Sequence, residues 1–385
     1  MIRVVHLSTG LEAGGAERQL SYLVKGSDCH TFHHIVVSVT NIGPVGAELA
    51  SEGVEVSCLG MARDAPSPVG LFRLVRLLGR TQPQVLHCWM YHANLLGLIA
   101  GKLAGVKSIV WGIRSANPQP RTYSFSTRSV INAGKWISGF PDCVVVNSEA
   151  GKKLHQAWGY KASRMRVIPN GFDLNRFKPD PATHSSVRKE LGLAPDSLLI
   201  GLIARFKAEK DHAVFCQAAA LLTDVNPPVH FLLAGADVCA GNPELRRLIS
   251  VNGLNGRVHL LGPRDDVQRL DAALDIACLS SWSEAFPNAV GEAMACGVPC
   301  VVTAVGDCPR IVGDTGRVIP PRNAKALAAA WTELIEMSPD QRQDLGRKAR
   351  NRVEENFSLP KAVESYESLY RELTGHQAES GTASH

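Results

Sequence analysis

Short β-branched and aliphatic runs alternate along this chain with stretches in which apolar residues recur every three to four positions. Ile2 to Leu7, His34 to Val39, Val54 to Cys58, Val85 to His87, Ser108 to Trp111 and Cys143 to Val146 read as buried strands. The segments between them leave room for crossover helices, and that alternation predicts a parallel sheet. One such segment carries Leu71, Leu74, Val75 and Leu78 on a single helical stripe, with Arg73, Arg76 and Arg80 off that face.

The alternation restarts after the turn-rich stretch VIPNGFDLNRFKPDPATH. Leu198 to Leu202, Val229 to Leu233, Val258 to Leu261, Ile276 to Leu279 and Cys300 to Thr303 form a second set of strands. The chain is therefore expected to be α/β throughout, with two Rossmann-like domains over residues 1–180 and 190–355 and a linker near 178–190. A closing helix at 360–373 is expected to pack back on the first domain. Residues 375–385 read as a disordered tail.

The 385 residues suit two cores, and 45% apolar with 20% charged residues describes a soluble globular protein rather than a low-complexity one. Ten scattered cysteines form no metal-binding or disulfide pattern, so reduced thiols and no structural metal are expected. The longest apolar region, Ala93 to Ile113, is broken by Lys102 and Lys107 and falls short of a spanning helix, which points to the cytoplasm. Charge is unevenly placed: up to Pro179 the chain has 20 Lys/Arg against 10 Asp/Glu, and the remainder is acidic. A basic half can face a membrane, an anionic substrate or simply water.

The stretch SEAFPNAVGEAMACGVPCVVT holds the densest chemistry. Asn288 reads as an N-cap, a helix follows from about Ala289 to Cys296, Gly297 suits the position after the helix and Pro299 prevents its continuation. The free amides at that helix start, over Phe286, Pro287 and Asn288, favour an anion. Glu284 falls in the preceding loop and Glu292 inside the helix, where carboxylates can accept hydrogen bonds from sugar and ribose hydroxyls. A second constellation, GLIARFKAEKDH, puts Arg205 and Lys210 just beyond a strand. In an open α/β sheet that end gathers ligands, so both cations are expected at the same diphosphate.

Together these segments resemble the signature of family 4 retaining glycosyltransferases, and the resemblance extends over nearly the whole chain. It implies the GT-B fold, two Rossmann-like domains with parallel sheets facing across a cleft. It also implies a nucleoside-diphosphate sugar as donor, with Glu284 beside the donor sugar and Glu292 on the ribose. Arg205 and Lys210 would hold the diphosphate, and Arg264 lies by the loop where the family places backbone contacts to the base. Ala285 stands where the family usually has Gly. No aspartate pair suggests a divalent ion, and the expected transfer is metal-independent and needs no cofactor.

In the first half, LSTGLEAGGAERQL joins a strand to a helix and places Gly14 and Gly15 beside Glu17. Its glycines do not fit the G-x-G-x-x-G pattern of nicotinamide binding. The resemblance instead makes it a loop approaching donor phosphate and acceptor. His92 and Arg114 follow later strands and are the acceptor-side candidates. These segments resemble the members that build bacterial O-antigen and related surface polysaccharides, which implies a glycan or lipid-linked saccharide as acceptor and no nucleic acid. Phe125, Val130, Ile131, Trp136 and Ile137 among Arg121, Arg128 and Lys135 suit either a crossover helix or peripheral contact with anionic lipid at the inner face of the plasma membrane. A nucleotide-sugar epimerase of the same architecture and a non-catalytic nucleotide-sugar-binding protein are the alternative readings.

Overall fold

The computed structural model describes residues 1–62, 67–117, 123–194, 196–222 and 227–376; Arg121 and the tail from 377 lie outside them. The chain forms two compact units, one of Met1–Gly171 joined by the segment from Leu359 onward, the other of Phe172–Ser358.

In the first unit β1 (Ile2–Ser8), β2 (Phe32–Ser38), β3 (Glu55–Cys58), β4 (Val85–Trp89), β5 (Ser108–Ile113), β6 (Cys143–Val146) and β7 (Met165–Val167) lie in the order β3-β2-β1-β4-β5-β6-β7. In the second, β8 (Leu198–Ile203), β9 (Val229–Ala234), β10 (Val258–Leu260), β11 (Ile276–Leu279), β12 (Cys300–Thr303) and β13 (Gly316–Ile319) lie in the order β10-β9-β8-β11-β12-β13. Every neighbouring pair is parallel. The strand order reverses between β1 and β4 and again between β8 and β11, where the connections diverge to opposite sides and leave a crevice at the carboxyl ends of the strands.

Sequence patterning misses β7 and β13. Both are short edge strands, and each carries an Arg, Arg166 and Arg317, that breaks the apolar run. The expected linker at 178–190 is instead largely helical: Asp180 caps the helix Pro181–Glu190 by accepting from Thr183 N–H at 2.9 Å, and Pro181 occupies its first turn. All ten cysteines are free thiols.

The second unit buries an aliphatic and aromatic core on each sheet face, with Phe215, Phe231 and Trp331 packed edge to face on one side. The first unit is different on the face covered by the helix Leu359–Thr374. That helix inserts Val363, Tyr366, Leu369 and Tyr370 beside Ile2, Val4 and Phe32. Under it lie three fully buried or nearly buried histidines from adjacent strands, His6, His34 and His87. Trp89 Nε1 donates to His6 Nδ1 at 3.2 Å, so His6 carries its proton on Nε2 and donates to His34 Nδ1 at 2.8 Å. His87 Nδ1 pairs with the Tyr370 hydroxyl at 2.7 Å. Burial holds all three imidazoles below their ordinary titration range, His34 at about 4.

Candidate active site

Arg205 and Lys210 follow β8, and Ser280 to Glu284 follow β11, so the second unit's reversal point brings the two segments together. The turn Ala208–Lys210 is tied to the β11 loop three times over. Trp282 N–H donates to Glu209 C=O at 2.9 Å, Trp282 Nε1 to Ala208 C=O at 2.8 Å, and Ser280 Oγ to Lys210 C=O at 2.8 Å. This lashing sets Lys210 Nζ 2.5 Å from Glu284 Oε1, with both side chains mostly buried. Ser281 Oγ donates to the same carboxylate oxygen at 2.7 Å. The ammonium has three protons, of which Glu284 uses one, so the pair keeps donors for an anion. Arg205 is exposed and makes no ion pair among the described residues.

Four residues beyond Glu284 the helix Asn288–Ala295 begins. Its N-cap is Pro287, not the expected Asn288, which is the first helical residue. Pro287 offers no side-chain acceptor and the first turn has no acid. The far end closes as a Schellman motif: Val298 N–H reaches Ala293 C=O at 3.1 Å and Gly297 N–H reaches Met294 C=O at 2.9 Å, with Gly297 at φ +76°. Gly291, mid-helix, lies flat against the Phe172 ring, where any Cβ would collide. Phe286 completes this packing by stacking on Phe172 at 6.1 Å and meeting Phe357 edge-on at 5.5 Å. The Phe286 side chain therefore belongs to the core, and only its backbone can serve a ligand. Ala285 has no left-handed φ, so the loop's path does not require a glycine there.

Glu292 is buried in the same helix, and behind it lies Asp271, which sequence reasoning overlooked. Burial, then the Glu292 charge, pushes the Asp271 carboxyl well above the usual carboxylate range. Arg264 lies apart from the Lys210–Glu284 pair in its bonding: it forms a two-pronged contact with Asp266 at 2.7 Å for each bond. That guanidinium holds the Asp266 carboxyl at about 2.

The first unit's reversal point gathers the loop after β1 and the residues after β4. Gly14 caps the helix Gly15–Gly26 without a side-chain bond, and the Glu17 carboxylate folds back over it, placing an acid at the helix start. His92 is half-buried, second in the helix Tyr91–Leu103, and the preceding Met90 sits at φ +73°, ψ 164°, a conformation that costs a non-glycine residue about 1–3 kcal/mol. Arg114, after β5, donates to Asn170 Oδ1 at 2.5 Å and to the Tyr366 hydroxyl at 2.6 Å and lies 4.4 Å over the Trp89 ring. Its guanidinium braces the closing helix; a direct substrate role would have to share those bonds. Among the described residues, the grouping close enough to hold a metal is Asp28, Cys29 and His30, an exposed loop in which Thr31 and the His30 amide already occupy the Asp28 carboxylate.

Residues 13–176 match the family described as Glycosyltransferase Family 4 and residues 197–337 that described as Glycosyl transferases group 1, so the two matches between them span most of the chain. This protein is a member of the family 4 glycosyltransferases. D-inositol 3-phosphate glycosyltransferase of Corynebacterium jeikeium is 31% identical over 252 residues, 62% of this chain and 59% of that protein, less than two thirds of its length. The UDP-Gal:alpha-D-GlcNAc-diphosphoundecaprenol alpha-1,3-galactosyltransferase of Escherichia coli is 24% identical over 325 residues, 82% of this chain and 81% of that one. Among solved structures, Anabaena HepE in complex with UDP superposes with a TM-score of 0.84 at 24% identity, covering 96% of this chain and all 100% of that one. Sucrose-phosphate synthase of Thermosynechococcus elongatus gives 0.80 at 21% identity, covering 98% and 100%. The fold is that of the GT-B glycosyltransferases. No described helix is long and apolar enough to cross a membrane.

Proposed function

We propose that this glycosyltransferase transfers a sugar, with retention at the anomeric carbon, from a nucleoside-diphosphate sugar to a lipid-linked saccharide in the assembly of a surface polysaccharide. The observation that carries the donor reading is the Lys210–Glu284 pair at 2.5 Å, four residues ahead of a helix start with no acid in its first turn. Breaking the sugar–phosphate bond leaves negative charge on the departing diphosphate. Arg205, the spare protons of Lys210 and the amides from Asn288 onward supply fixed positive charge there, enough to act without a metal. Glu284, steadied by Ser281, is assigned to the donor sugar and Glu292 to the ribose. In the first unit, Gly14, Gly15, Glu17 and His92 are assigned to substrate binding.

The lipid-linked acceptor is supported by the E. coli relative, whose acceptor is GlcNAc-diphosphoundecaprenol, and the nucleotide by Anabaena HepE, solved with UDP and with UDP-glucose. The test is incubation of the protein with UDP-sugars and polyprenyl-diphosphate saccharides in EDTA. Free UDP should appear only when acceptor is present, and the new linkage should keep the donor's anomeric configuration. Turnover that ceases in EDTA and returns with magnesium contradicts the metal-independent part; an inverted product contradicts retention.

A further inference from the structure

The helix Phe125–Ile137 does not use all the apolar residues that its sequence offers for packing. Ile131 is buried and Gly134 lies against the Tyr160 hydroxyl, which fixes the inward face. On the opposite stripe stand Phe125, 78% exposed, and Trp136, 86% exposed, with Phe140 just beyond the helix at 62%. Phe125 and Trp136 are three helical turns apart on one line, about 16 Å along the axis. Among the described residues four aromatic side chains are this exposed, and three of them fall in these sixteen positions. The helix packed alongside, Tyr91–Leu103, adds exposed Ile99 and Leu103. Proteins rarely leave several large apolar side chains of one region to water without a use for them.

The charge around this stripe has one sign. An open cavity of about 660 Å³ beside it is lined by Trp136 and Phe140 together with Lys135, Lys161 and Arg164, and by no carboxylate. The nearest acid in sequence, Asp142, turns its carboxylate to the Ile109 N–H at 2.9 Å. From residue 91 to 166 the chain holds 11 Lys/Arg and 2 Asp/Glu.

We infer that this face docks on an anionic bilayer, with Phe125, Trp136 and Phe140 entering the headgroup layer and Lys135, Lys161 and Arg164 binding lipid phosphates. An indole prefers the interface, where its ring is apolar and its N–H stays wet, and each nearby cation adds attraction to an anionic leaflet. A straight apolar line flanked by cations fits a flat surface. The docking needs none of the donor-site residues, so it stands whether or not the transfer reaction proposed above is right.

The experiment uses the full chain with two kinds of vesicle, phosphatidylglycerol/phosphatidylethanolamine and pure phosphatidylcholine, at low and at physiological salt. The protein should float with the anionic vesicles alone, less so at higher salt. W136S/F140S and K135E/K161E should each weaken that binding by about tenfold or more. Brominated lipids should quench Trp fluorescence in the parent chain and much less in W136S. Circular dichroism and UDP binding should match the parent in each variant, since none of these side chains packs in the core or at the donor site. Equal binding to both vesicle types, undiminished binding of both variants, or a dimer in sedimentation equilibrium that W136S converts to monomer would overturn the inference.

Discussion

The two units share one architecture and differ in how the charged side chains beside their reversal points are used. In the first unit, Glu17 folds its own carboxylate over Gly14 at the helix start. In the second, the helix Asn288–Ala295 has no side-chain cap from Pro287 and no acid in its first turn, a state that the first unit's Tyr91–Leu103 shares. The nearby cations differ too. Arg114 spends its hydrogen bonds on Asn170 and Tyr366, whereas Arg205 is exposed and Lys210 has protons to spare. A site that keeps positive charge unspent is prepared for an anion, and that is why the donor is assigned to the second unit.

The sharpest way to break this contrast is to remove the charges. Lys210→Ala and Glu284→Gln should each lower kcat about 100- to 1000-fold with the circular dichroism spectrum unchanged, as removal of one preorganised electrostatic group does. Arg114→Met should lower kcat less than tenfold by comparison, while destabilising the first unit by about 1–3 kcal/mol through its orphaned buried partners. Comparable kcat losses in both units would erase the distinction.

Next comes packing. Gly291→Val drives a branched side chain into Phe172 and should destabilise the second unit by about 3 kcal/mol or more, visible as a lower urea midpoint. Gly171→Val meets the backbone of Leu359 and the side chain of Ala362 at 2.8 Å, and should loosen the closing helix with little change in donor affinity.

The smallest effect is in pH. In the first unit His6, His34, His87 and His155 are held neutral by burial, His34 and His155 at about 4; in the second, burial lowers His212, to about 4, and the part-buried His184, His230 and His259. These histidines titrate lower when folded than when unfolded. Their contribution is whole above about pH 6.5 and is lost as pH falls toward 4, at up to about 1.4 kcal/mol per pH unit for each group. The first unit's four are the more deeply buried set, so the first unit should lose hydrogen-exchange protection in β1, β2 and β4 before the second loses it in β8 and β11. Simultaneous loss would mean the buried histidines do not set acid stability.

Patterning made most of the fold legible because parallel strands covered on both faces read as unbroken apolar runs. It failed at β7 and β13, where an edge strand three or four residues long carries an Arg, and at 178–190, where Pro and Asp look like a turn but cap a helix. The donor-side residues were visible because they crowd into two short segments, each just after a strand. Their detailed roles were not. Whether Arg264 faces a ligand or Asp266, whether Phe286 points to the core, and that Asp271 backs Glu292 all depend on contacts between segments far apart in sequence. His6, His34 and His87 look like scattered residues until strand register and the closing helix assemble them.

Calorimetric titration of UDP into the chain in EDTA addresses the central assignment most directly, run on the parent, Lys210→Ala, Arg205→Ala and Arg114→Met. Saturable binding without metal, weakened at least about tenfold by loss of either Arg205 or Lys210 and little changed by loss of Arg114, is the predicted result. Binding that survives the Arg205 and Lys210 changes intact, or that fails only in Arg114→Met, would place the diphosphate elsewhere and contradict it.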